Sequence, residues 1–134
     1  MRLLHALIDP RFTTLRLRAA WAAYLSILIF GAIPGARTEI GEYASGLVLH
    51  FFAYGCISFL LFTGFVGHPG ARLVRCVLLI ALMGAGDEFM QSFLPYRRGA
   101  ISDWYVDVSA GIVVSTLLWA SAFRVKALRV TRLE

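Results

Sequence analysis

Cysteine is scarce in this chain: 134 residues hold two, Cys56 and Cys76. Both lie in or beside apolar runs, at no metal-ligand spacing. A disulfide scaffold and a cysteine metal domain are thereby excluded, and both thiols read as packing residues. Charge is scarce as well, at 16% of residues, against about a quarter in an average soluble domain. The chain has no internal repeat, no low-complexity segment and no linker long enough to separate domains, so 1–134 reads as one domain. A basic stripe interleaved with stacking aromatics is also lacking. The formal charge of +5 therefore does not point to nucleic acid.

What the chain has in excess is apolar surface. Hydrophobic residues make up 59%, and the mean hydropathy is +0.73. So short a chain cannot hide that much in one water-soluble core. A disordered chain and an ordinary cytosolic enzyme are excluded, and lipid is the expected solvent. A span takes roughly 20 residues, so the length allows about four. The fold class expected is all-α, a polytopic bundle of about four transmembrane helices.

The runs can be placed. Ala19–Ile33, closed by Pro34-Gly35, is the first span and reads as a retained anchor rather than a cleaved signal. The second is 43–66, followed by the turn Gly67-His68-Pro69-Gly70. The third runs 73–94 and takes in Asp87 and Glu88, because its purely apolar part is too short to cross. The fourth runs 103–123, with Ser102 as its expected N-cap. With its lead-in residues the first span is taken as 17–36. Ten of the thirteen basic residues fall on the two tails and the Gly67–Arg75 connection. This bias puts both termini and the middle loop in the cytoplasm of a multi-pass membrane protein, whose partners begin with membrane lipids.

Polar residues then gather at one depth. His50 lies seven residues past Tyr43, about 10 Å below the outer interface at about 1.5 Å per residue. Asp87 and Glu88 lie at a similar depth below Leu94, and Asp103 and Asp107 open the fourth helix. Arg97 and Arg98 sit in the loop between. Asp87 with Gln91, and Asp103 with Asp107 and Gly111, are spaced i, i+4, so each set shares a stripe. Ala110 and Gly111 would allow close helix approach.

Each residue has a plain structural reading. His50 alone suits packing, with Tyr54 one turn on merely orienting it. Asp103 suits a helix dipole, Gln91 an interhelical link, and Arg97 and Arg98 headgroup contacts. His5 and His68 read as solvated, with no role. It is the cluster that points to a site, since several intramembrane charges need pairing, water or protonation.

The run Asp87-Glu88-Phe89-Met90-Gln91-Ser92-Phe93-Leu94-Pro95-Tyr96-Arg97-Arg98-Gly99, with Asp103, Asp107 and Gly111 after it, resembles the signature of the VanZ-like family of small bacterial membrane proteins. Upstream, His50-Phe51-Phe52-Ala53-Tyr54-Gly55 is similar to that family's His-Phe-x-x-Tyr element. The match covers Gly46 to Ser115. The chain departs from the pattern at Gly46 and Leu47, where Asp-Lys is frequent. It departs again at Tyr96, usually Gly, and at Asp107, often Asn. The resemblance implies an envelope role at the outer face, with a link to teicoplanin susceptibility, and no particular reaction.

The expected function is a site for an anionic envelope molecule. Arg97 and Arg98 would hold a phosphate, pyrophosphate or carboxylate, with Gln91, Asp107 and Tyr54 also in the binding set. The expected catalytic set is His50, Glu88, Asp87 and Asp103, with Glu88 and His50 as acid–base pair where chemistry occurs. No metal ligands are assigned, although carboxylates suit a hard divalent cation. An anionic envelope lipid or peptidoglycan precursor, a second copy of the chain and an envelope protein are the further partners considered. Two other readings stay open: a non-catalytic subunit of an envelope complex, and a proton-coupled carrier or flippase using Asp87 and Glu88.

Overall fold

A computed structural model describes residues 9–35, 45–97 and 99–130, with residues 123–130 as backbone only. The described residues form helices and no strands: α1 Thr13–Gly31, α2 Gly46–Gly64, α3 Pro69–Ser92 and α4 Ile101–Val130. A short 3₁₀ turn, Pro10–Phe12, precedes α1. The backbone N–H of Arg11, and after it the Arg11 guanidinium, hold the Asp9 carboxyl below its ordinary range.

The helix starts follow local chemistry. Ser45 caps α2 by accepting from Val48 N–H at 3.4 Å. His68 Nδ1 accepts from Gly70 N–H at 3.2 Å, with Pro69 at the first helical position. The third helix therefore begins inside the stretch expected as a turn, and His68, expected to have no role, is its cap. Ser102 is not the cap of α4, because Asp103 N–H already reaches the Ala100 carbonyl at 2.9 Å. The Ser102 hydroxyl instead donates to Asp103 Oδ1 at 3.3 Å. The remaining limits also shift. The first helix starts at Thr13 and stops at Gly31, and α4 continues to Val130.

Among the described residues, two helices are long and apolar enough to cross a membrane: α2, and Ile101–Ala122 of α4. The other two carry charge within their length, Arg16 and Arg18 in α1 and Arg72, Arg75, Asp87 and Glu88 in α3. Helices α2 and α4 pack along one another in the middle. Helix α3 lies mainly on α4, and α1 mainly on α2. Neighbours in sequence run antiparallel, with the starts of α1 and α3 both at the end of α2.

The core sorts polarity in reverse. One stripe of α3 (Cys76, Ile80, Met83, Gly84, Asp87, Gln91) is buried, while Leu78, Leu82, Phe89 and Phe93 face outward, Leu82 at 70% exposure. The buried stripe of α4 likewise joins Asp103 and Asp107 to Ala110 and Ser115. A bundle in water would present the opposite arrangement.

Close approach of α3 and α4 depends on two glycines. A Cβ on Gly84 would stand 2.9 Å from Asp107 Oδ2, and one on Gly111 would stand 3.0 Å from Ile80 Cγ2. Gly111 of the small pair expected at Ala110-Gly111 thus meets Ile80 directly. We expect Gly111→Val to destabilise the detergent-solubilised protein by about 1–3 kcal/mol, the usual cost of overpacking. Thermal unfolding of wild type and variant in the same micelle measures it, and equal stability would contradict the packing described.

Candidate functional site

The site is assembled around His50, half-buried on α2. Its Nδ1 lies 2.9 Å from Asp107 Oδ1, and its Nε2 lies 3.6 Å from Asp103 Oδ2. Both acids come from α4, one turn apart, so a single imidazole spans two carboxylates of the same helix stripe. The ring of Tyr54, one turn along α2, lies parallel to His50 with centroids 6.1 Å apart. The Tyr54 hydroxyl points at Asp87 Oδ2, 3.5 Å away on α3.

Glu88 completes the group from the other side. Its Oε2 accepts from the backbone N–H of Ala100, just ahead of α4. A carboxylate from α3 thereby serves the N-terminus of α4, where the helix dipole favours negative charge. Gly99 makes this approach possible: a Cβ there would stand 2.5 Å from the Glu88 carbonyl oxygen. The expected Glu88–His50 pair is thus not in direct contact. The acids against His50 are Asp107 and Asp103, although donor atoms of His50, Glu88 and Asp107 lie within 4.8 Å of one another.

Satisfaction is incomplete. Asp107 is 0% exposed and Asp87 2%. Asp107 Oδ2 and Glu88 Oε1 are buried and accept no hydrogen bond among the described residues. Taking a carboxylate out of water costs several kcal/mol unless it is paired.

A cavity of about 270 Å³ opens beside this group, between α1, α2 and α3. Ile27, Phe30, Leu49 and Ala53 form its apolar wall. His50, Tyr54, Asp87, Gln91 and Arg97 form its polar side. Among the described residues, no acid or carbonyl engages the Arg97 guanidinium. The Tyr96 hydroxyl donates to the Ala32 carbonyl, fastening the α3–α4 loop to the end of α1 beside the cavity. A second concavity, lined by Phe51, Phe52 and Phe59 between α2 and α4, is apolar.

Of the nine expected site residues, His50, Tyr54, Asp87, Glu88, Gln91, Arg97, Asp103 and Asp107 come together around these two features. Arg98 lies outside the described residues. Residue-type reasoning missed the Ala100 N–H, Gly84 and Gly99. Backbone donors and missing side chains leave no chemical signature, though Gly99 directly after two arginines is a visible turn signal. It also missed Trp104, whose Nε1 donates to the Ala81 carbonyl at 2.9 Å and ties α4 to α3 beside the acids.

No family model, curated protein or solved structure matches this chain.

The His50–Asp107 contact is expected to be strongly coupled. In a double-mutant cycle with His50→Ala and Asp107→Ala, we expect a coupling of about 1–3 kcal/mol in stability, as for contacting residues in one network. Additive effects within about 0.5 kcal/mol would mean that the two do not act as a pair.

Proposed function

We propose that this chain is a four-span, VanZ-like protein of the bacterial inner membrane that holds an anionic headgroup at the outer end of its bundle. The headgroup would belong to an envelope lipid or a lipid-linked peptidoglycan precursor. Arg97 carries this reading. Its guanidinium borders a cavity, has no described acid or carbonyl against it, and faces a wall of Ile27, Phe30, Leu49 and Ala53. Guanidinium geometry suits a phosphate or carboxylate, and an apolar wall alongside suits an acyl or polyprenyl chain. Gln91 adds an amide that can donate to the same anion.

Three further observations support the membrane part. Leu78, Leu82 and Phe89 lie on the exterior of α3 while Asp87 and Gln91 are buried on its interior. Basic residues concentrate at the opposite end of the bundle, as the positive-inside rule expects. The signature resemblance described above implies a role at the extracytoplasmic face, and it suggests the link to teicoplanin susceptibility.

Native mass spectrometry of the gently purified protein tests the ligand. Wild type should retain an anionic lipid, and Arg97→Ala should lose about tenfold in retention, the loss expected from one charge-assisted bond of about 1.4 kcal/mol. Equal retention by both proteins would overturn the headgroup reading. A reporter that works only in the cytoplasm, fused after Glu134, should be active; activity only from an extracytoplasmic reporter would invert the topology.

A further inference from the structure

We infer that His50, Glu88 and Asp107 form a binding site for a first-row divalent transition-metal cation, such as Zn²⁺ or Mn²⁺. One donor atom from each lies within 4.8 Å of the other two, and the three come from α2, α3 and α4. Three donors on three helices make a tripod that no local sequence motif would reveal.

Two observations separate this group from an ordinary acidic cluster. The first is unsatisfied capacity. Asp107 is wholly buried, yet its Oδ2 accepts nothing among the described residues, and the buried Glu88 Oε1 is in the same condition. Buried carboxylate oxygens are normally bonded. Two such oxygens in a three-residue group are what a cation would satisfy.

The second is spacing and donor chemistry. His50 Nδ1 and Asp107 Oδ1 are 2.9 Å apart. Donors each about 2.1 Å from one tetrahedral ion are themselves about 3.4 Å apart. A cation can therefore take the place of the proton between them once the two atoms part by about 0.5 Å. One imidazole with two carboxylates suits Zn²⁺ or Mn²⁺ better than the all-oxygen preference of Ca²⁺ or Mg²⁺.

Charge balance points the same way. Asp87, Glu88, Asp103 and Asp107 surround a single imidazole, and Arg97 is the one described guanidinium lining the adjoining cavity. Asp103, 3.6 Å from His50 Nε2, orients the ring as carboxylates beside metal-bound histidines do. Access runs through the cavity, whose wall His50 shares. The site stands on these side chains whether or not the cavity holds a lipid. With both bound, the cation offsets the acids that would otherwise repel an anionic headgroup.

The full-length protein in detergent, stripped with a chelator and then dialysed against Zn²⁺ or Mn²⁺, should retain about one ion per chain by elemental analysis. Co²⁺ should give visible absorption bands characteristic of a protein-ligated site. His50→Ala and Glu88→Gln should each lower ion content at least tenfold and abolish the Co²⁺ bands, while Asp9→Asn keeps both. Glu88→Gln keeps an amide oxygen for the Ala100 N–H, so it separates lost ligation from lost folding. Wild type that retains no stoichiometric Zn²⁺ or Mn²⁺, or variants that bind as wild type does, would overturn the site. In the latter case the ion is adventitious. Loss of ion with lipid retention intact would leave the headgroup reading standing, and the reverse would leave the cation site standing.

Discussion

A histidine on α2 and an aspartate on α4 meet 2.9 Å apart, with the aspartate closed off from solvent. Everything else in the upper bundle is arranged around that contact. A buried carboxylate without a partner is too costly to keep, so Asp107 fixes where α2 must lie on α4. Gly84 then has to be small, because Asp107 Oδ2 occupies the space a side chain would need. That in turn sets how closely α3 can sit on α4, and so where Asp87, Glu88 and Gln91 emerge. The cavity beside them exists because α1 packs mainly on α2 and leaves an opening towards α3.

This chain of constraints explains why polarity is inverted. In water, Leu82 and Phe93 would be the residues to bury, and Asp87 and Asp107 the ones to expose. Here Asp87 and Asp107 join Ile57, Leu61 and Ile80 in the interior, while Leu82 and Phe93 lie on the exterior. In the four-span reading the exterior loses nothing to lipid, while van der Waals fit and hydrogen bonds hold the helices together. Trp104 to Ala81, Glu88 to Ala100 and His50 to Asp107 are such links. They sit together, so the candidate site is also the region that holds three helices in register.

Much of the arrangement was legible in the residues. The i, i+4 steps Asp87–Gln91 and Asp103–Asp107 identify the inward stripes, because a 3.6-residue period leaves no other way to share a face. Ala110 and Gly111 likewise announce a close crossing. Pairing across helices was not legible: nothing in the order of residues says that His50 meets Asp107 rather than Glu88. That choice depends on rotation of α2 about its axis, which Tyr54, Ile57 and Leu61 settle by packing. Helix limits were least legible where a cap is an unusual residue. His68 can cap α3 through Nδ1, but histidine is not read as a cap from sequence, so the helix seemed to begin later. Glu88 capping α4 from another helix lies beyond any local rule.

The opposite end of the bundle follows the same electrostatic logic with the sign reversed. Arg16 donates to the Thr63 carbonyl at 2.8 Å, Arg72 to Phe62 at 2.6 Å, and Arg75 to Val66 at 2.7 Å. These carbonyls lie in or just beyond the last turn of α2, where a helix leaves acceptors without partners and presents partial negative charge. Arg72 also lies over the Phe62 ring, 4.4 Å from its centroid. Basic residues that read as orientation signals in the sequence thus also close a helix end, and one residue does both because the C-terminus of α2 and the proposed cytoplasmic interface coincide. Acids meet the N-terminus of α4 at one end and arginines meet the C-terminus of α2 at the other. Each of the two central helices is therefore held at one end by charges on a neighbour, α4 at its start and α2 at its close, which leaves the middle free to be apolar. Charge keeps to the ends of the flanking helices too: Arg16 and Arg18 open α1, and Arg72, Arg75, Asp87 and Glu88 flank an uncharged 76–86 in α3.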